Sequence, residues 1–200
     1  MAFIVFEGGD GAGKSTQIRY LSARLRRRGY PYIITREPGG TPVGELLRRI
    51  LKNRDDITPA GELLLFVAAR HELVEQIIKP SLTSGTSVIC DRFSASTIAY
   101  QGYGRNLDLE VITSLNDLAT GEIKPDLTVF LDIPPETALS RISGRKTDKF
   151  ENSSLSFHNR VRTGFREQAK TNPESWLVLD ANLPASSIAK HIWQKVKTLL

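Results

Sequence analysis

One residue after the apolar run Phe3-Ile4-Val5-Phe6 the chain reads Gly8-Gly9-Asp10-Gly11-Ala12-Gly13-Lys14-Ser15, which satisfies the pattern G-x-x-x-x-G-K-[ST]. Glycines at these positions let backbone N–H groups turn inward around an anion, and the helix that follows adds the positive end of its dipole. The strand, loop and helix occur in the required order. Gly8, Gly9, Asp10, Gly11, Ala12, Gly13, Lys14, Ser15 and Thr16 are therefore the expected cradle for a nucleoside triphosphate. Lys14, read as an exposed loop cation, is expected to span the β- and γ-phosphates, and Ser15 to ligate Mg²⁺.

The rest of the chain repeats this alternation. Short runs of β-branched and aromatic residues at Tyr32 to Thr35, Ser87 to Asp91, Leu127 to Asp132 and Trp176 to Asp180 suit strands buried on both faces. Helical patterns lie between them: Ile18, Leu21 and Leu25 ending at Gly29, then Val43 to Leu51 with Pro42 in the first turn. A long pattern runs through Leu63, Phe66, Val67, Val74, Ile77 and Ile78, and a last one through Ile188, Ile192, Val196 and Leu199. This order predicts an α/β fold with a parallel five-stranded sheet and helices on both faces, ligands gathering at the carboxyl ends of the strands. A length of 200 residues with 40% hydrophobic content suits one domain, residues 1–200. Ser143 to Ser156 is polar, weakly patterned and the candidate mobile loop.

Composition narrows the partners. The net charge of +5 is spread along the chain, and Arg26-Arg27-Arg28 reads as a solvated helix face, so no nucleic-acid partner is expected. Cys90, the only cysteine, sits in an apolar run and reads as a small buried hydrophobe in a reducing cytoplasm. The N-terminus lacks the basic start and cleavage site of a signal peptide, and no apolar stretch approaches the length needed to span a membrane.

A phosphate cradle alone serves kinases, GTPase switches and motors alike. The second glycine-bearing acidic motif and the Asn-Lys-x-Asp guanine reader of a GTPase are missing, and small size argues against a motor. Other segments point to an acceptor. Phe66 and Arg70, four residues apart, share one otherwise apolar helix face. Phe66 stacks on a base while Arg70 donates to its carbonyl edge, or else Phe66 is core and Arg70 snorkels to solvent. Asp91-Arg92 ends the third strand at the ligand-binding edge, where the acid suits a metal's water shell and the arginine a phosphate clamp. If a helix begins there, Ser96 and Tyr100 follow on its face; a structural Asp-Arg pair beside a surface Tyr is the alternative. Arg36 to Pro42 reaches the same edge after the second strand or is merely a turn.

Taken together, Phe6 to Thr16, Thr35-Arg36-Glu37-Pro38-Gly39-Gly40-Thr41, Leu65-Phe66-Val67-Ala68-Ala69-Arg70 and Asp91-Arg92 through Tyr100-Gln101-Gly102 resemble the thymidylate kinases in order and spacing. The resemblance implies transfer of the γ-phosphate of ATP to dTMP by direct in-line attack, with Mg²⁺, in a homodimer. It implies that Phe66 stacks on thymine, Arg70 reads its carbonyl edge and Arg92 holds the acceptor phosphate. Asp10 would meet the 3′-hydroxyl and Tyr100 would crowd the 2′ position, with Glu37, Ser96 and Gln101 completing the pocket. Gly11 stands where some members carry a P-loop arginine. The chain therefore looks like the bacterial-type subclass, in which a lid, here at about 143–152, supplies the charge. Arg145 is the candidate among Arg145, Lys146 and Lys149, and Arg141 would contact adenine. An arginine added at Gly11 is expected to substitute partly for the lid cation, provided that the loop accepts a side chain. The readings left beside this one are another nucleotide or deoxynucleoside kinase and a P-loop nucleotide-dependent switch.

Overall fold

The computed structural model describes residues 1–121, 123–144 and 149–200. Its sheet has five parallel strands in the order β2-β3-β1-β4-β5: β1 Phe3–Glu7, β2 Tyr32–Arg36, β3 Ser87–Asp91, β4 Leu127–Asp132 and β5 Trp176–Asp180. The α/β expectation stands, and the two-residue period of β1 shows why its run is apolar throughout. Ile4 and Phe6 enter one core cluster, while Phe3 and Val5 enter the other.

Helices α1 (Lys14–Arg27) and α9 (Ala185–Val196) cover the first face, Leu21, Leu25, Ile188, Ile192 and Val196 meeting Ile4 and Phe6 in one cluster. On the opposite face lies the chain that runs from α3 (Pro59–Leu73) into α4 (Lys79–Thr83), with Leu73, Val74 and Ile78 beside Phe3, Val5, Val88 and Cys90. The expected long helix is not uniform here. Val74–Ile78 is wound as a π-helix. Pro80, in the first turn of α4, has no N–H to donate and would strike the carbonyl four residues earlier in a regular α-helix, so a widened turn accommodates it.

Helix α2 (Pro42–Asn53) starts with Pro42, and Thr41 Oγ1 accepts from Gly44 N at 3.0 Å; Thr58 caps α3 in the same way. Beyond β3 come α5 (Ser94–Thr97), a π-helical Ile98–Gly104, α6 (Leu109–Thr120), α7 (Pro135–Ile142) and α8 (Leu155–Thr171). The sequence reading marked neither α6 nor α8. Leu109, Val111 and Leu118 of α6 are exposed, which blurs its stripe, and in α8 Phe157, Val161 and Phe165 stand among arginines. These three α8 residues form an aromatic core with Tyr100 and Phe130, and the Phe130 and Phe165 rings stack at 5.2 Å. Among the described residues no helix is long and apolar enough to cross a membrane.

Phe165→Ala should empty the centre of this aromatic core and cost about 3–5 kcal/mol, read as a lower urea midpoint at unchanged slope.

Candidate active site

All five strands run parallel, so the segments that follow β1, β2 and β3 leave at one edge and enclose a cleft of about 490 Å³. Most of the expected residues line it: Asp10, Gly11, Gly13, Lys14, Ser15, Thr16, Glu37, Phe66, Arg70, Asp91, Arg92, Ser96, Tyr100, Gln101 and Arg141. Gly8, Gly9 and Ala12 do not. Ala12 is buried in the core beneath the loop, while the other two lend their carbonyls to Lys14, whose Nζ donates to Gly8 O at 2.9 Å and Gly9 O at 3.1 Å.

Two expectations about this loop are corrected. Lys14 is not an exposed loop cation: it opens α1 and is 7% exposed, its ammonium drawn across the loop by carbonyls that compensate its burial. Gly11 does not accept a side chain. It holds φ 82°, and a Cβ there would lie 2.1 Å from the carbonyl oxygen of Ala138 in α7. The loop is pressed onto α7, and an arginine at Gly11 is incompatible with that contact.

Across the cleft, Arg92 takes φ 72° and points its guanidinium at the phosphate loop. Nη2 meets Asp10 Oδ1 at 2.8 Å, Nη1 donates to Ser96 Oγ at 3.3 Å, and the group lies 5.1 Å from the Tyr100 ring. Burial by itself would raise Asp10, yet Arg92 and Lys14 hold its carboxyl below the usual carboxylate range. Burial raises the Tyr100 phenol, which keeps it a neutral hydroxyl, and this hydroxyl is buried with no hydrogen-bond partner among the described residues. Tyr100 lies not in an α-helix begun by Ser94 but in the π-helical turn after it, so it does not follow Ser96 along one regular α-helix.

Arg70 does not snorkel. It is 1% exposed, Nε and Nη2 gripping Glu37 Oε2 at 2.9 and 2.6 Å, Nη1 donating to Asn116 Oδ1 at 2.6 Å and Nη2 to Thr97 Oγ1 at 2.8 Å. Burial raises the Glu37 carboxyl against the pull of Arg70. Asn116 and Thr97 were not anticipated; Asn116 is on α6, and without that helix nothing in the sequence brings it near Arg70. Phe66 lines the cleft with Phe150, ring centroids 5.9 Å apart, and Phe150 stands 6.3 Å from Tyr100. Gln101 Nε2 donates to the buried Glu62 at 2.9 Å, and Lys149 reaches the same carboxylate at 3.1 Å. Arg141 donates to Ala181 O at 3.1 Å from the cleft wall. Arg145 and Lys146 lie outside the described residues.

The donor set suits a hard divalent cation carried in by phosphates. Ser15 is exposed at the start of α1, and among the described residues Asp91 Oδ1 is buried with no hydrogen-bond partner and no three His, Cys, Asp or Glu side chains gather to hold an ion by themselves. Such a pair supplies only one or two ligands, the usual protein share for Mg²⁺.

The chain is 50% identical over 198 residues to the thymidylate kinase of Synechococcus sp. (strain JA-3-3Ab), covering 99% of this chain and 96% of the relative. It is 47% identical over 200 residues to that of Dehalococcoides mccartyi (strain CBDB1), covering 99% and 96%. The crystal structure of thymidylate kinase from Ehrlichia chaffeensis superposes with a TM-score of 0.80 at 37% identity, covering all of this chain and 98% of the other. The family model described as thymidylate kinase matches residues 6–192. With the phosphate cradle and the acceptor wall facing each other across one cleft, these similarities place the chain in the thymidylate kinase family.

Proposed function

We propose that the chain phosphorylates dTMP to dTDP with ATP. The observation that carries this reading is the single cleft that joins the phosphate loop to the Phe66, Arg70 and Arg92 wall, because a nucleotide-dependent switch has no use for that wall. ATP lies along Gly8 to Thr16 with Lys14 at its β- and γ-phosphates, and Arg141 flanks the adenine. Ser15 and Asp91 hold Mg²⁺, which neutralises phosphate charge when bound. On the acceptor side Phe66 stacks on thymine. The bonds described above occupy Nε, Nη2 and one Nη1 hydrogen of Arg70, so its other Nη1 hydrogen is the donor for a base carbonyl. Arg92 holds the acceptor phosphate, Asp10 meets the 3′-hydroxyl and Tyr100 crowds the 2′ position; Glu37, Ser96 and Gln101 fix these groups. Transfer is in line, with no protein nucleophile, so positioning and charge neutralisation do the catalysis.

The same reading includes a lid at about 143–152 within one kinase domain, with Arg145 supplying charge to the transferring phosphoryl group. Lys149 is the weaker candidate, because it is tied to Glu62 and to the Arg54 carbonyl. It includes a homodimer: α2 and α6 both pack on α3, and Leu46, Leu64, Val111 and Leu118 of these helices are exposed at 53%, 56%, 52% and 74%. A cytoplasmic setting fits the buried free thiol of Cys90.

A coupled assay of dTDP formation from dTMP and ATP tests the activity; turnover of other nucleoside monophosphates in preference to dTMP would replace the acceptor assignment. Lys14→Ala should lower kcat by about 10²-fold or more while the cooperative melt persists. Arg70→Ala should weaken dTMP binding by about 2 kcal/mol, read as a raised KM, and also lower stability by about 3 kcal/mol because Glu37 is left buried without its partner. Arg145→Ala should lower kcat with both KM values changed far less, and Gly11→Arg should destabilise the loop instead of restoring the rate. Light scattering or sedimentation should give a dimer, and Leu64→Glu should shift it to monomer.

A further inference from the structure

Arg92 is one of two residues other than glycine with positive φ among the described residues, a conformation that a Cβ disfavours. The sheet explains what the turn achieves. Phe6 of β1 is paired with Asp91 of β3, and Arg92 N–H donates to Phe6 O at 2.9 Å, so the ladder reaches Arg92 itself. Had the strand stayed extended, its two-residue period would have put the Arg92 side chain on the face of Val88 and Cys90, in the apolar cluster with Phe3, Val5 and Leu73. The left-handed residue turns it away from that cluster and onto Asp10 and Tyr100 in the cleft.

Glu7 holds that turn. The last residue of β1, it is fully buried and does not line the cleft. Its Oε1 accepts from Phe93 N at 2.9 Å and Ser96 N at 3.2 Å, and its Oε2 from Ser96 Oγ at 2.6 Å. These bonds take the backbone N–H of Phe93, the residue after Arg92, and share that of Ser96, which also donates to Phe93 O at 3.0 Å. Cys90 Sγ adds a contact to Arg92 O at 3.0 Å. A buried carboxyl whose ionisation is opposed by its burial is an unusual choice for a strand end unless those donors require it.

We propose that Glu7 is the positioning residue for Arg92: from the neighbouring strand it locks the left-handed turn that aims the guanidinium at the acceptor phosphate. The proposal rests on the acceptor role of Arg92 given above, and a double-mutant cycle separates the two. Glu7→Ala should lower kcat/KM for dTMP by at least about tenfold with KM for ATP within about twofold, and Glu7→Gln, which keeps an Oε1 acceptor, should recover part of that loss. If Glu7 acts through Arg92, Glu7→Ala should add less than about threefold to the loss in an Arg92→Ala background. Equal losses for both nucleotides, or multiplicative losses in the cycle, would overturn the proposal. Should Glu7→Ala fail to fold, the cycle with Glu7→Gln is decided by the same criterion. An Arg92→Ala enzyme with normal dTMP kinetics would instead remove the acceptor role of Arg92.

Discussion

Strand β1 has a parallel neighbour on each side, β3 through Phe6 and Asp91 and β4 through Phe6 and Val129, and every one of its residues is buried. A chain leaving such a position has no solvent beside it into which to bend. It must turn within a few residues, between the ends of two other strands and under α7. The phosphate loop is that turn. Its glycines are needed twice, once to aim N–H groups at phosphates and once because Gly11 lies against the Ala138 carbonyl. The geometry proposed to bind ATP is therefore also the packing of the sheet edge.

The charges of the cleft are arranged in pairs with different tasks. Arg70 and Glu37 are buried together and nearly satisfied by one another, Asn116 and Thr97, so the guanidinium is held rigid at the cleft wall. Such a pair contributes little to stability against an apolar replacement, but it fixes one donor direction, which is what reading a base edge needs. Arg92 and Asp10 form the looser pair, partly open to the cleft. In the proposed reading, substrate groups would compete there directly for both partners.

Aromatic packing joins the acceptor side to the segment that follows residues 145–148. Phe150 rests on Phe66 and Tyr100, while Lys149, beside it, shares the Glu62 carboxylate with Gln101. Phe66, Tyr100 and the end of that segment thus belong to one contact network. A base stacked on Phe66, as proposed, would meet Phe150 as well.

The sequence by itself determined the strand positions, the parallel α/β class and the residues at the carboxyl edge, because apolar runs, helix starts and the glycine-rich loop are local signals with short periods. It also placed Phe66 beside Arg70, since four residues make a helical turn. It did not determine that Arg70 turns inward, that Lys14 is buried, or that the helix after Leu73 widens before Pro80. Tertiary structure decided these, for each depends on a group distant in the chain or on its packing: Glu37 and Asn116 draw Arg70 in, and the β1 and β3 ends meet so that Glu7 can seize the turn at Arg92. Gly11 is the clearest case. Its place in the motif was evident from residues 8 to 15, but the side chain it excludes is fixed by Ala138, more than a hundred residues away. Close packing is a property of which surfaces meet, and only the folded chain brings them together.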